Sequence, residues 1–215
     1  MTQLWTLLFA TLFVLLSGPG NAVTVFTAQL TNSQEVPPVV PTTTTGAPRP
    51  ASFGTATFVL NDAQTSLSFV ATIFNIDFTG TQTADINDNL TVAHIHGPAA
   101  PGAATGVVWG FVGTPFNDTS PLDTVVTPFA SGVGGTVTSK WDMGEGNGLT
   151  NTLTAHLPNL FAGLLYMNFH TTQFGAGEIR GQIVTPLPGA LPLFATGLGA
   201  LGLMAWRRKR KAVAA

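Results

Sequence analysis

The sequence predicts an all-β domain, an antiparallel Greek-key-like β-sandwich or barrel, set between an N-terminal signal segment and a C-terminal transmembrane helix. Three observations carry the fold class. Apolar and polar residues alternate with a period of two over several short runs rich in Val, Ile, Phe and Thr. Turn residues separate those runs, drawn from 24 glycines and 15 prolines. Between the two ends, no long amphipathic helix competes for the same residues.

Taken in order, the chain opens with a short apolar run over residues 4–16, followed by Gly20 and Ala22. That length suits the core of an export signal and is short for a membrane span; small residues there fit cleavage before Val23. Residues 1–22 therefore read as a signal peptide. Residues 23–30 alternate and predict a first strand. Pro37, Pro38 and Pro41 then deny backbone donors, so residues 36–45 read as a loop. Residues 53–60 and 67–74 alternate on either side of the turn at Asn61, Asp62, Ala63 and Gln64, and predict the clearest hairpin. Short strands are predicted over 91–96, 106–112, 135–141, 164–170 and 178–184, with a polar loop at 117–121. Residues 151–162 are the one stretch suited to a short helix, limited by Pro158.

The chain's last segment, 186–215, is of another kind. Pro186, Leu187, Pro188 and Gly189 lead into an uncharged run that ends at Trp206, and Arg207, Arg208, Lys209, Arg210 and Lys211 follow. Residues 187–206 would span about 30 Å as a helix at ~1.5 Å per residue, close to a bilayer's hydrocarbon thickness. The basic cluster at 207–211 predicts a cytoplasmic end, which places the preceding residues outside.

That tail hides the character of what precedes it. The chain has eight basic and ten acidic residues, and five of the basic ones are the cluster itself. Residues 23–185, the size of one domain, keep three basic against all ten acidic residues, a net charge of −7. Such a domain has nothing to neutralise phosphates, which excludes nucleic acid as a partner. Divalent cations or basic partners suit it better. The absence of cysteine excludes disulfides, thiolate metal sites and cysteine nucleophiles.

The chemistry-bearing candidates are the histidines. His94 and His96 stand two apart on a predicted strand, so both face one side. Imidazoles at that spacing can share one transition-metal ion, copper or zinc, when a third ligand joins, and His170 on the penultimate strand is the natural third. The same three residues can instead form a hydrogen-bonded cluster, donating to backbone carbonyls or to Glu178. Both readings stay open on sequence. A His-x-His strand after a hairpin is similar to Cu/Zn superoxide dismutase, but that chemistry needs more histidines than the four present. Glu178 and Arg180 share a strand face and read as an ion pair or as packing against the histidines. Asp85, Asn87, Asp88 and Asn89 are oxygen-rich but lack an EF-hand's Gly and distal Glu, so they read as a turn. Trp109 and Trp141 read as core. No Gly-x-Ser-x-Gly elbow or phosphate loop is present. The sequence thus points to no catalytic residue and to a non-enzymatic protein.

Two resemblances add to this. Phe26 to Leu30 with Glu35, Val36, Pro37 and Pro38; Ala93, His94, Ile95, His96, Gly97 and Pro98 with Gly106, Val107 and Val108; and Tyr166 to Thr171 leading into Gly177, Glu178, Ile179, Arg180, Gly181 and Gln182 together resemble the CHRD (chordin-type) domain. This implies an extracellular β-sandwich of surface, secreted or matrix proteins without firm catalytic activity. The order of proline tripeptide, apolar helix and basic cluster resembles the PEP-CTERM sorting signal, with Leu187 where that signal has Glu. It implies an exosortase-type processing enzyme and a setting of membrane, cell envelope and exopolysaccharide. The expected role is structural or adhesive, with metal binding as the alternative.

Overall fold

The computed structural model describes residues 23–186. The expected signal segment at 1–22, the helix at 187–206 and the basic tail at 207–211 lie outside the described residues. Among the described residues no helix is long and apolar enough to cross a membrane.

Among the described residues there are nine strands and one α-helix: β1 Thr24–Thr31, β2 Phe53–Leu60, β3 Ser66–Phe74, β4 Leu90–His96, β5 Val107–Val112, β6 Val125–Pro128, β7 Gly134–Asp142, α1 Leu153–Phe161, β8 Tyr166–Thr171 and β9 Ile179–Gln182. The period-two runs became strands where expected. In β2, Gly54, Ala56, Phe58 and Leu60 point inward while the residues between them face out. β3 pairs with it in continuous register from Phe53↔Phe74 to Leu60↔Leu67. In α1, Thr152 caps the N-terminus by accepting from the Ala155 N–H at 3.3 Å, and Pro158 sits inside the helix.

The expected antiparallel sandwich or barrel is met in part. All strands are antiparallel, but they form a single sheet in the order β5-β4-β8-β9-β1-β2-β3-β7-β6, curled into a half-barrel. Consecutive strands β1, β2 and β3 lie side by side, and β9 returns by a long connection to lie beside β1. The β1–β9 seam is slight: one register pair, Thr31↔Arg180, and a bridge, Thr27↔Val184, closed by hydrogen bonds of 2.8 and 3.0 Å.

Folding about that seam brings the two halves face to face. Phe69 of β3 meets Trp109 and Phe111 of β5 edge-on, at 6.2 and 4.9 Å between centroids. Trp141 of β7 stacks on Trp109 at 5.6 Å and 11°. Both tryptophans are fully buried, which makes them core, as their sequence setting suggested. Each large apolar side chain so buried contributes roughly 1.5–3 kcal/mol.

Strands β4, β8 and β9 are covered on both sides. Ala93, Ile95, Met167, Phe169 and Ile179 join the apolar core. Their alternate neighbours, His94, His96, Tyr166, Asn168, His170 and Arg180, project from the other face and are buried too. A polar layer therefore lies beneath loops on the outside of the sheet.

Candidate metal centre

Register sets up this layer. Across β4, β8 and β9, His94 pairs with Asn168 and Asn168 with Arg180; in the next row His96 pairs with Tyr166 and Tyr166 with Gln182. His170 enters from the far end of β8, opposite Val92. The three imidazoles converge, with ring centroids 5.1 Å apart for His94–His170 and 5.7 Å for the other two pairs. One ligand atom from each lies within 4.8 Å of the others. The residues are only 3, 7 and 5 % exposed for His94, His96 and His170.

Backbone carbonyls orient two of the rings. His96 Nδ1 donates to the Thr105 carbonyl at 2.9 Å, and His170 Nδ1 donates to the Gly175 carbonyl at 3.1 Å. A carbonyl only accepts, so Nδ1 carries the proton and Nε2 keeps a free lone pair. Both Nε2 atoms are buried without a partner, as are both ring nitrogens of His94. The Thr114 carbonyl near His94 raises that ring's basicity slightly but stands outside hydrogen-bond geometry.

Burial governs the protonation state. It pushes His94 down to about 4, with further lowering from the charges His170 and His96 would carry. Burial likewise pushes His96 to about 4, against the opposing Thr105 hydrogen bond, and lowers His170. All three are neutral at pH 7, the form that ligates metal. An ion centred in an equilateral triangle of 4.8 Å sides would sit about 2.8 Å from each nitrogen, against ~2.0–2.1 Å in a bound site. Inward movement of under ~1 Å by each ring closes the gap.

The neighbouring residues hold this arrangement. Tyr166 stacks flat on His96, and Arg180 lies 4.5 Å from the centre of the Tyr166 ring. Arg180 is fixed by Glu35 Oε2, at 2.9 Å from Nε and 2.8 Å from Nη2, and by the Ala103 carbonyl at 3.0 Å. Gly110 on β5 is required by close approach: a Cβ there would fall on the Pro115 carbonyl and 3.0 Å from His94 Cδ2.

The other sequence candidates lie elsewhere. His156 on α1 bonds Asn151 and Asn159, apart from the triad. Glu178 takes no histidine and does not pair with Arg180. It is fully buried and accepts from Arg49 at 2.7 Å, from Thr171 at 2.5 Å and from Ser52, which ties the 42–52 loop to β8 and β9. Asp85 caps a 3-10 turn through the Asn87 N–H, and Asp88 accepts from Thr83. The sequence did not flag Arg49 and Glu35 as partners. The signal available was scarcity, since the domain's three basic residues include just two arginines.

A curled all-β sheet carrying a buried three-histidine cluster under its loops defines the class of protein. Within that class, the chain belongs to the CHRD family: residues 26–183 match the CHRD domain. No curated protein and no solved structure matches it.

Proposed function

We propose that the chain is an exported, non-enzymatic CHRD-domain protein that binds one transition-metal ion, copper or zinc, through His94, His96 and His170. One observation carries the reading: three buried imidazoles, each with a ring nitrogen that lacks a hydrogen-bond partner, bring one ligand atom apiece within 4.8 Å of one another. A purely structural histidine cluster would place those nitrogens against donors or acceptors, because unpaired buried polar atoms are costly. The CHRD family is compatible with an extracellular or structural domain, the setting in which the ion would be held. The test is metal titration of the purified protein. Binding tighter than ~10 μM that is lost in His94→Ala/His96→Ala supports the site. Weaker binding, or binding that survives the double substitution, removes it.

The cellular setting is proposed on sequence. The segment Pro186, Leu187, Pro188 and Gly189, the apolar run and the basic cluster would hold the protein in the membrane for an exosortase-type enzyme, with release toward surface exopolysaccharide. Mass spectrometry of the mature protein decides: a C-terminus within 186–189 in the released form supports sorting. An intact basic cluster found only in membranes means a plain anchor.

A further inference from the structure

The donor set speaks to which ion. Resting on the metal reading above, the choice of ion turns on charge. Among the described residues no Asp, Glu or Cys joins the three imidazoles in the ligating group. The carboxylate on the same face, Glu35, is held by Arg180 at 2.9 and 2.8 Å. Glu178 is occupied by Arg49, Ser52 and Thr171. With the rings neutral, the standing charge that acts on them is the Arg180 guanidinium, felt at His96 and His170, and it disfavours added positive charge. The centre is thus buried, built of neutral ligands and flanked by a guanidinium.

Charge magnitude then decides between ions. The cost of placing an ion in a poorly solvated site grows as the square of its charge, so a divalent ion costs about four times as much as a monovalent one. A carboxylate or thiolate ligand would offset that cost, and this group contains neither. Coordination number leaves the choice to charge, because zinc too is held by three imidazoles with water as a fourth ligand, and imidazole suits copper and zinc alike.

We propose that the centre is built for Cu(I), held by one nitrogen each of His94, His96 and His170 without an anionic ligand. The test uses the full chain purified in detergent and stripped of metal. Cu(I) affinity is measured anaerobically with ascorbate by competition against bicinchoninate, and Zn(II) affinity against a chromophoric chelator. The expected result is Cu(I) at least ~100-fold tighter than Zn(II), with Cu K-edge absorption reporting nitrogen neighbours and no sulfur. Zn(II) bound as tightly as Cu(I) overturns this inference and leaves the three-histidine centre standing. Failure of both ions to bind removes the centre as well. Glu35→Gln, which strips Arg180 of its counter-charge, is expected to weaken Zn(II) more than Cu(I), and equal weakening contradicts the charge argument. The wild-type competition stands alone if that variant fails to fold.

Discussion

The imidazole of His96 lies flat on the ring of Tyr166, 4.9 Å between centroids and 9° between planes. Tyr166 also bonds the backbone of Thr105 through its hydroxyl, and Thr105 is the residue whose carbonyl fixes the His96 tautomer. One aromatic side chain therefore braces both the plane of the His96 ring and the loop that orients it. Outer partners of this kind are worth 10–100-fold in metal affinity. Tyr166→Leu is expected to weaken metal binding by about 10-fold and to lower stability by about 2 kcal/mol. Tyr166→Phe keeps the stack and should cost about half as much stability. Chelator competition and urea denaturation measure the two effects; equal affinity in Leu and Phe variants would mean the stack does not position His96.

Gly110 sits where the loop carrying Pro115 crosses β5 beside His94. A methyl group there has no room: the Pro115 carbonyl is backbone and His94 is one of the three proposed ligands. Gly110→Ala is expected to displace the loop, lower stability by about 1–3 kcal/mol as overpacking does, and abolish tight metal binding. Gly106→Ala is the control, because nothing lies within 4 Å of a Cβ at that position. Unchanged metal affinity in Gly110→Ala would show that the loop does not shape the site.

Metal-free protein should lose stability in mild acid. Burial first, then neighbouring positive charge, holds His94 at about 4 against 6.5 in the unfolded chain, and burial holds His96 at about 4. The unfolded state takes up these protons below about pH 6.5 while the folded state refuses them until about pH 4. Stability is therefore full above 6.5 and falls as pH drops through that window, by about 3 kcal/mol for one imidazole. Glu35, raised mainly by burial, opposes the trend at the acid end. Urea midpoints at about pH 7.5 and 5 check the sign. A midpoint that is higher at the lower pH would mean the rings are charged in the fold.

Local pattern made most of the strands legible, and long-range pairing did not. The alternation in 53–60 specified β2 because one face of it is buried and the other exposed. Strand β6 escaped because Val125, Val126 and Thr127 are all exposed, leaving no period to read. The single curled sheet escaped because its seam joins β1 to β9, strands from opposite ends of the domain, and alternation carries no information about neighbours. The site divides the same way. His94 and His96 were legible as a pair from spacing alone, and His170 joined them through its strand position. The Glu35–Arg180 and Arg49–Glu178 pairs span 145 and 129 positions and have no local signature.

Those long-range pairs should carry more stability than any surface charge. Arg49 and Glu178 are 6 and 0 % exposed as side chains, and Glu178 holds three donors at once. Removing one partner leaves the other charge buried with nothing to offset it, which costs about 3–5 kcal/mol. Glu178→Gln is expected to fall in that range and to loosen the loop at 42–52, read as faster amide exchange there. Lys140, bridged to Asp123 and Asp142 at 3.0 and 3.2 Å, is 32 % exposed, and water screens it. Lys140→Ala should therefore change stability by about 0–1 kcal/mol. Urea denaturation of both variants measures the difference. Comparable losses would mean that Glu178 is solvated in the native state and that burial does not set the strength of the Arg49 clamp.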